Sequence, residues 1–247
     1  MGVYEKFASV YDLCMSGVPY DKWVKQIEKI WKTYDFKPVT VLELGCGTGN
    51  MAYRFAGRAY DMTAVDFSEH MLSVAAEKNP SLHEKILFIR QDIRDLDLYG
   101  TVDAMFSVFD CMNYMTREED LTKIFLSARN YLNPGGIFIF DMNAEKKYAR
   151  ISDEGPMSGV FEDVSFIWEN SYDKKGKINE CAAHFFIRED ADIYKKYTEY
   201  HYQKAYEIKK IAGLIVESGL TVINILDAAT MKKYTSDSER VYIVVKK

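Results

Sequence analysis

The chain has 247 residues, 48% apolar and 28% charged, an ordinary globular composition that excludes disordered, collagen-like and fibrous classes. That length holds one large domain or two small ones, with enough core to fold without disulfides or metals. A net charge of −5 supplies no global field toward DNA, RNA or an anionic membrane.

Trp23, Val24, Ile27, Ile30, Trp31 and Tyr34 recur at helical steps, predicting a helix over residues 19–34 that Pro38 closes off. From Val39 the pattern becomes strand (39–44), glycine turn (45–50) and helix (51–59). A second strand, 62–65, ends at Asp66. Ser68 then suits the N-cap of a helix using Met71, Leu72, Ala75 and Ala76, which Asn79-Pro80 stops. Strands follow at 85–89, ending near Asp92, and at 102–109. Thr116 and Glu119 have capping-box spacing before Leu121, Ile124, Phe125, Ala128 and Leu132. Residues 133–136 read as a turn and 137–140 as a fully apolar strand.

Strands apolar on both faces, alternating with helices, predict a parallel sheet covered on both sides, hence a doubly wound α/β fold. Ligands in such folds sit beyond the carboxyl ends of the strands. After Asn143 the pattern reads as irregular chain through Ser158-Gly159, then as aromatic-rich antiparallel strands at 163–172, 178–188 and 193–203. A helix over 206–217 ends at Gly219, and strands at 220–226 and 241–245 close the chain. The expected organisation is therefore a helical cap and first part of the core over 1–142. An antiparallel β insertion covering the substrate follows over 143–203, and the rest of the core over 204–247.

Cys14, Cys46, Cys111 and Cys181 form no CxxC pair, and the four histidines are scattered. Neither a disulfide framework nor a metal site from local ligands is expected. No apolar run nears the ~18 residues of a membrane span, and no signal-peptide pattern is visible. A cytoplasmic protein is expected, with no membrane or nucleic-acid partner.

The strongest chemical signal is Glu43-Leu44-Gly45-Cys46-Gly47-Thr48-Gly49-Asn50. It follows a predicted strand and opens a helix, as a nucleotide-binding turn does. Asn50 stands where a dinucleotide fingerprint has its last glycine, and no Gly-Lys-Ser/Thr makes it a phosphate loop. Glycine suits such a bend because ligand atoms crowd the backbone and φ turns positive. Asp66, at the next strand end, is placed to accept ribose hydroxyls. Asp92, at the third, suits an adenine amino group.

With these elements, VLELGCGTGN, AVDFSEHML, QDIRDL and YLNPGGIFIFDMN resemble the successive motifs of class I S-adenosylmethionine-dependent methyltransferases. The opening Tyr4-x-x-Phe7-Ala8-x-x-Tyr11-Asp12 is similar to that of uncharacterised bacterial small-molecule methyltransferases. The resemblance implies a Rossmann-like, seven-stranded, mainly parallel sheet with the β insertion before the last helix and strands. It implies S-adenosyl-L-methionine as cofactor. Gly45, Cys46 and Gly47 would lie along its methionine part, Asp66 would hold the ribose, and Phe67 and Met71 would flank the adenine. Asp92 and Ile93 would complete that pocket. Phe109 would approach the methionine moiety and Tyr11 would close over the cofactor.

The implied reaction is in-line methyl transfer to a small molecule, where positioning supplies most of the acceleration. A base is required only for an acceptor that arrives protonated; His201, Asp110 and Tyr114 are the candidates. Asn113, Tyr114 and His201 are the expected acceptor contacts. Asn113-Tyr114 stands where amino-methylating nucleic-acid enzymes carry Asn/Asp-Pro-Pro-aromatic, but lacks both prolines. Cys46 and Cys111 read as small buried cysteines rather than nucleophiles. The alternatives are an RNA or protein acceptor, an NAD-dependent oxidoreductase, or a non-catalytic nucleotide-binding module.

Overall fold

The computed structural model describes residues 6–247, so Tyr4 of the opening motif lies outside the described residues. Helix α1 (Ala8–Cys14) and helix α2 (Tyr20–Thr33) precede the core. The alternating part then runs β1 (Thr40–Leu44), α3 (Asn50–Ala56), β2 (Asp61–Asp66), α4 (Glu69–Lys78), the short α5 (Pro80–His83), β3 (Ile86–Arg90) and β4 (Val102–Ser107). A 3-10 turn at Cys111–Tyr114 leads to α6 (Glu118–Tyr131) and β5 (Leu132–Asn143). Next come α7 (Glu145–Asp153) and strands β6 (Met157–Val160), β7 (Val164–Asp173), β8 (Ile178–Asp190) and β9 (Ile193–Lys204). Helix α8 (Ile208–Glu217), β10 (Thr221–Asp227) and β11 (Arg240–Lys246) end the chain.

Seven strands form one sheet in the order β10-β11-β5-β4-β1-β2-β3. Neighbours from β5 to β3 pair in parallel, while β11 runs antiparallel to both β5 and β10. The doubly wound α/β sheet expected from the alternation is therefore present. Both faces are covered: Ile124, Phe125, Ile211 and Ile215 of α6 and α8 pack on one. Ile27, Trp31 and Phe55 of α2 and α3 pack on the other. Strand residues such as Leu42, Ala104 and Phe140 are fully buried, which is why these strands read as unbroken apolar runs.

The insertion is a separate four-stranded antiparallel sheet, β6-β7-β8-β9. Phe7, Val10 and Met15 pack on its Val164, Phe166, Ala183 and Phe185. The N-terminal helix and the insertion thus form one apolar unit over the carboxyl end of the core sheet.

Some local expectations change. The stretch after Asn143 holds α7 rather than irregular chain. This helix, Glu-Lys-Lys-Tyr-Ala-Arg-Ile-Ser-Asp, buries only Tyr148, so it carries no apolar period to read. Strand β6 is a largely exposed edge. Strand β4 stops at Ser107, and residues 133–136 lie within β5 across a register shift opposite β4. The capping box is not formed: α6 starts at Glu118 with Arg117 at its N-cap and no side-chain cap. Glu118, Glu119 and Asp120 instead place negative charge on the first turn. The four cysteines are free thiols. No described helix is long and apolar enough to cross a membrane.

Candidate cofactor and acceptor site

The bend after β1 needs its glycines. Gly45, Gly47 and Gly49 have φ of 73°, 53° and 75°, and a Cβ on Gly45 would collide with Cys111 Sγ. Gly45→Ala is expected to lower stability in urea denaturation by about 1–3 kcal/mol from left-handed strain, with the collision adding to it. Unchanged stability would show that the bend has room to spare.

Around the bend, each charged group has a defined task. Asp66 Oδ2 accepts from Gly47 N at 2.8 Å and Oδ1 from Ser68 N at 2.9 Å. Burial nevertheless pushes its carboxyl above the ordinary range. Helix capping belongs to Ser68, whose Oγ accepts from Met71 N, so Asp66 is not the cap. Asp12 on α1 accepts from Thr48 Oγ1 and Asn50 Nδ2, both at 2.7 Å, and pairs with Lys78 at 2.6 Å. Burial opposes ionisation of Asp12, but these donors outweigh it and hold its carboxyl below the usual value. Asp12 thus pins α1 over the bend and brings Tyr11 to the cavity wall. At the β3 end both oxygens of Asp92 are held by Arg94. That hydrogen bonding lowers the Asp92 carboxyl against a smaller effect of burial.

Of these groups, Asp66, Asp92 and Arg94 face a cavity of about 950 Å³ at the carboxyl ends of β1, β2, β4 and β5, walled by α1, α7 and the insertion. Its volume is that of a site for a cofactor and a small molecule together. Tyr11, Gly45, Cys46, Gly47, Asp66, Phe67, Met71, Asp92, Ile93 and Phe109 all line it, as do Tyr114 and His201. Met71 is buried and Phe67 is 54% exposed, so Met71 forms wall and Phe67 rim.

Asn113 does not line it, which corrects the expected acceptor contact. It is fully buried; its Nδ2 donates to the carbonyls of Asn143 and Lys204, and its Oδ1 accepts from Asn143 N. Asn113 joins β5 to β9, with both amide hydrogens and one Oδ1 lone pair committed to the backbone, and it is closed off from the cavity. Tyr114 and His201, far apart in sequence, meet with Tyr114 Oη 3.0 Å from His201 Nδ1. Glu199 Oε2 lies 3.8 Å from Nε2. Burial lowers the His201 pKa to about 4, so the ring is neutral at physiological pH.

Asp110, the third base candidate, is already committed. Phe109 and Asp110 occupy consecutive left-handed conformations, φ 66° and 53°, an arrangement non-glycine residues adopt only when their surroundings enforce it. Asp141 at the end of β5 enforces it by accepting from Phe109 N at 3.1 Å and Asp110 N at 2.7 Å. Arg240 bridges Asp110 Oδ1 at 2.6 Å and Asp141 Oδ2 at 2.8 Å. Gln203 of the insertion donates to the remaining Asp110 oxygen. Burial opposes ionisation of both carboxyls. Arg240 and its neighbours overcome it at Asp110, which is lowered, but not at Asp141, which stays raised. One cation is shared between two carboxylates. The thiols are inert: burial pushes Cys111 up to about 12 and Cys46 well above its ordinary value.

Sequence reading missed Asp12 as a brace, Lys78, Arg94, Lys147, Gln203 and Arg240. Asp12 stood in the opening motif and Arg94 in QDIRDL, two residues after Asp92; Lys78, Lys147, Gln203 and Arg240 carry no local signal. Glu43 is also in the cavity wall, buried, with Oε2 unpartnered and its carboxyl pushed well up by burial. A cationic group beside it would restore its charge.

One cavity thus brings together a glycine bend without a Cβ, a carboxylate at the next strand end and a buried carboxyl with one unpartnered oxygen. Fold and site define a Rossmann-like enzyme that uses a nucleoside cofactor. Residues 41–136 match the family described as a methyltransferase domain. The chain is 31% identical to a methyltransferase structure from Clostridium acetobutylicum described as S-adenosylmethionine-dependent, with 99% of each chain covered and a TM-score of 0.85. It is also 31% identical to "Putative methyltransferase YqeM" of Bacillus subtilis, covering 99% of this chain and 97% of that one. A dTDP-3-amino-3,4,6-trideoxy-alpha-D-glucopyranose N,N-dimethyltransferase of Streptomyces venezuelae is 28% identical over 138 residues, 54% of this chain and 56% of its own. The chain belongs to the class I S-adenosylmethionine-dependent methyltransferases, and its cofactor is S-adenosyl-L-methionine.

Proposed function

We propose that this methyltransferase acts on a small molecule held under the insertion. The observation that carries the reading is that one cavity contains both the glycine bend with Asp66 and the insertion side chains Phe166, Trp168, His201 and Gln203. A walled, partly aromatic space of this size suits a small organic acceptor, whereas a polymer needs an open groove. The net charge of −5 and the sugar named for the Streptomyces relative support the same class. The four free thiols suit a reducing compartment, and we place the enzyme in the cytoplasm.

When bound, the cofactor supplies a sulfonium methyl that is already electrophilic. The protein's work is then to bind, orient and exclude water. Asp66 would accept the ribose hydroxyls and Gly45, Cys46 and Gly47 would line the methionine chain. Phe67, Met71, Asp92 and Ile93 would enclose the adenine. Tyr11 would close the near side and Phe109 would back the methionine part. Tyr114, hydrogen-bonded to His201, would present its hydroxyl to the acceptor. An acceptor arriving as a neutral amine requires no base.

Calorimetry and thermal shift with S-adenosylmethionine, its demethylated product and NAD test the cofactor reading. Only a ligand that binds the native state raises the midpoint, stabilising the fold by about 2.7 kcal/mol at a hundred times its Kd. The first two are expected to do so and NAD is not. Labelled-methyl transfer from the cofactor to a panel of small molecules, total RNA and total protein tests the acceptor. Label confined to RNA or protein would overturn the small-molecule reading.

A further inference from the structure

Lys147 projects from α7 into the cavity wall beside the carboxyl end of β5, two strands from the glycine bend. Its Nζ donates to Asn143 Oδ1 at 3.1 Å. The same oxygen accepts from Arg240 Nε at 3.0 Å. One neutral amide oxygen therefore serves two cations, and both its lone pairs are taken. The carboxylates nearby are spent on Arg240 and on the Phe109 and Asp110 amides. Lys147 has no ion-pair partner among the described residues. Burial first, then repulsion from Arg240, holds its ammonium below the ordinary lysine range; attraction from Asp110 and Asp141 offsets this only in part. A half-buried cation with two N–H groups left unused beside a cavity is costly unless something in the cavity answers it.

A second orphan stands in the same wall. Trp168 of β7 lines the cavity, and its indole Nε1 is buried without an acceptor. Helix α7 meets β7 where Tyr148 stacks on Tyr172 at 6.0 Å, so both donors belong to adjoining walls. A ligand with a negative group would answer Lys147, and one long enough to extend along β7 would offer the Trp168 indole an oxygen acceptor.

Resting on the acceptor reading above, we infer that the methyl acceptor carries an anionic group, a carboxylate or a phosphate, which seats against Lys147. The group is an anchor and stays chemically unchanged. It fixes the other end of the molecule relative to the strained Phe109–Asp110 corner.

The test uses acetate and inorganic phosphate as probes on the full-length enzyme saturated with S-adenosylhomocysteine, at constant ionic strength with chloride as control. Wild type is expected to show a saturable rise in thermal midpoint with one probe. Acetate alone identifies a carboxylate site and phosphate alone a phosphate site. In Lys147→Met the apparent affinity should fall about tenfold or more; Lys147→Arg should restore most of it. Identical responses in wild type and Lys147→Met, or no response in wild type, would overturn the inference. A midpoint that drops in Lys147→Met with the anion response intact would make Lys147 only a countercharge to Asp110 and Asp141. S-adenosylhomocysteine affinity is measured on the same samples. Failure of that binding with a Lys147-dependent anion response intact would remove the cofactor reading and leave the anion subsite standing.

Discussion

Arg240→Met is expected to lower the unfolding free energy by about 3–5 kcal/mol, read by urea denaturation at pH 7. Arg240 is the cation that Asp110 and Asp141 share; methionine keeps much of the volume but leaves two buried carboxylates uncompensated. The loss should depend on pH. In wild type the Asp110 carboxyl is depressed, so its pairing contributes above the ordinary carboxylate pKa and is lost as pH falls through the lowered value. In the variant the cation is gone and burial raises both carboxyls, so the penalty is present at neutral pH and relieved on acidification. The gap between the two proteins should therefore narrow from pH 7 toward pH 4. A constant gap would mean that Arg240 acts through packing on Trp23 and Phe109, over whose rings it also lies at 5.6 and 5.7 Å. Cofactor affinity should fall in the same variant, because the Phe109–Asp110 corner keeps its left-handed conformation only while Asp141 holds both amides.

Asp66→Ala is expected to weaken S-adenosylmethionine binding by about ten- to a hundredfold in calorimetry, the worth of charged hydrogen bonds at roughly 1.5–3 kcal/mol. Two effects add. The ribose hydroxyls lose their acceptor, and Gly47 N and Ser68 N lose theirs, which loosens the bend on one side and the start of α4 on the other. Asp66→Asn separates them, since its amide oxygen can still accept one backbone N–H while the charge is gone. If Asp66→Asn binds cofactor as wild type does, the carboxylate's role is to brace the bend rather than to hold the sugar.

The glycine bend and the strand-end carboxylates that line the cavity were legible because their signals are local. Gly45, Gly47 and Gly49 occupy alternate positions where the chain takes positive φ, and Asp66 and Asp92 stand at or just past the ends of apolar strands. The acceptor half was not. Asn113 looked like a contact because it neighbours Tyr114, yet its amide is consumed in joining β5 to β9. Lys147 was invisible because α7 has a single buried anchor, Tyr148, and a polar helix without an apolar stripe reads as loop.

By itself the sequence determined the doubly wound sheet, the insertion as a separate antiparallel unit and the glycine bend after β1. Each depends on hydrophobic period or on backbone conformations within a few adjacent residues, and such constraints are written into neighbours along the chain. Tertiary structure alone decided that Arg240 meets Asp110 and Asp141, that Tyr114 meets His201, and that Lys147 faces the cavity without an ion-pair partner among the described residues. Those pairings join strands and helices tens of residues apart; ion pairs and hydrogen bonds require only that two groups arrive within about 3 Å, and sequence separation places no limit on which two.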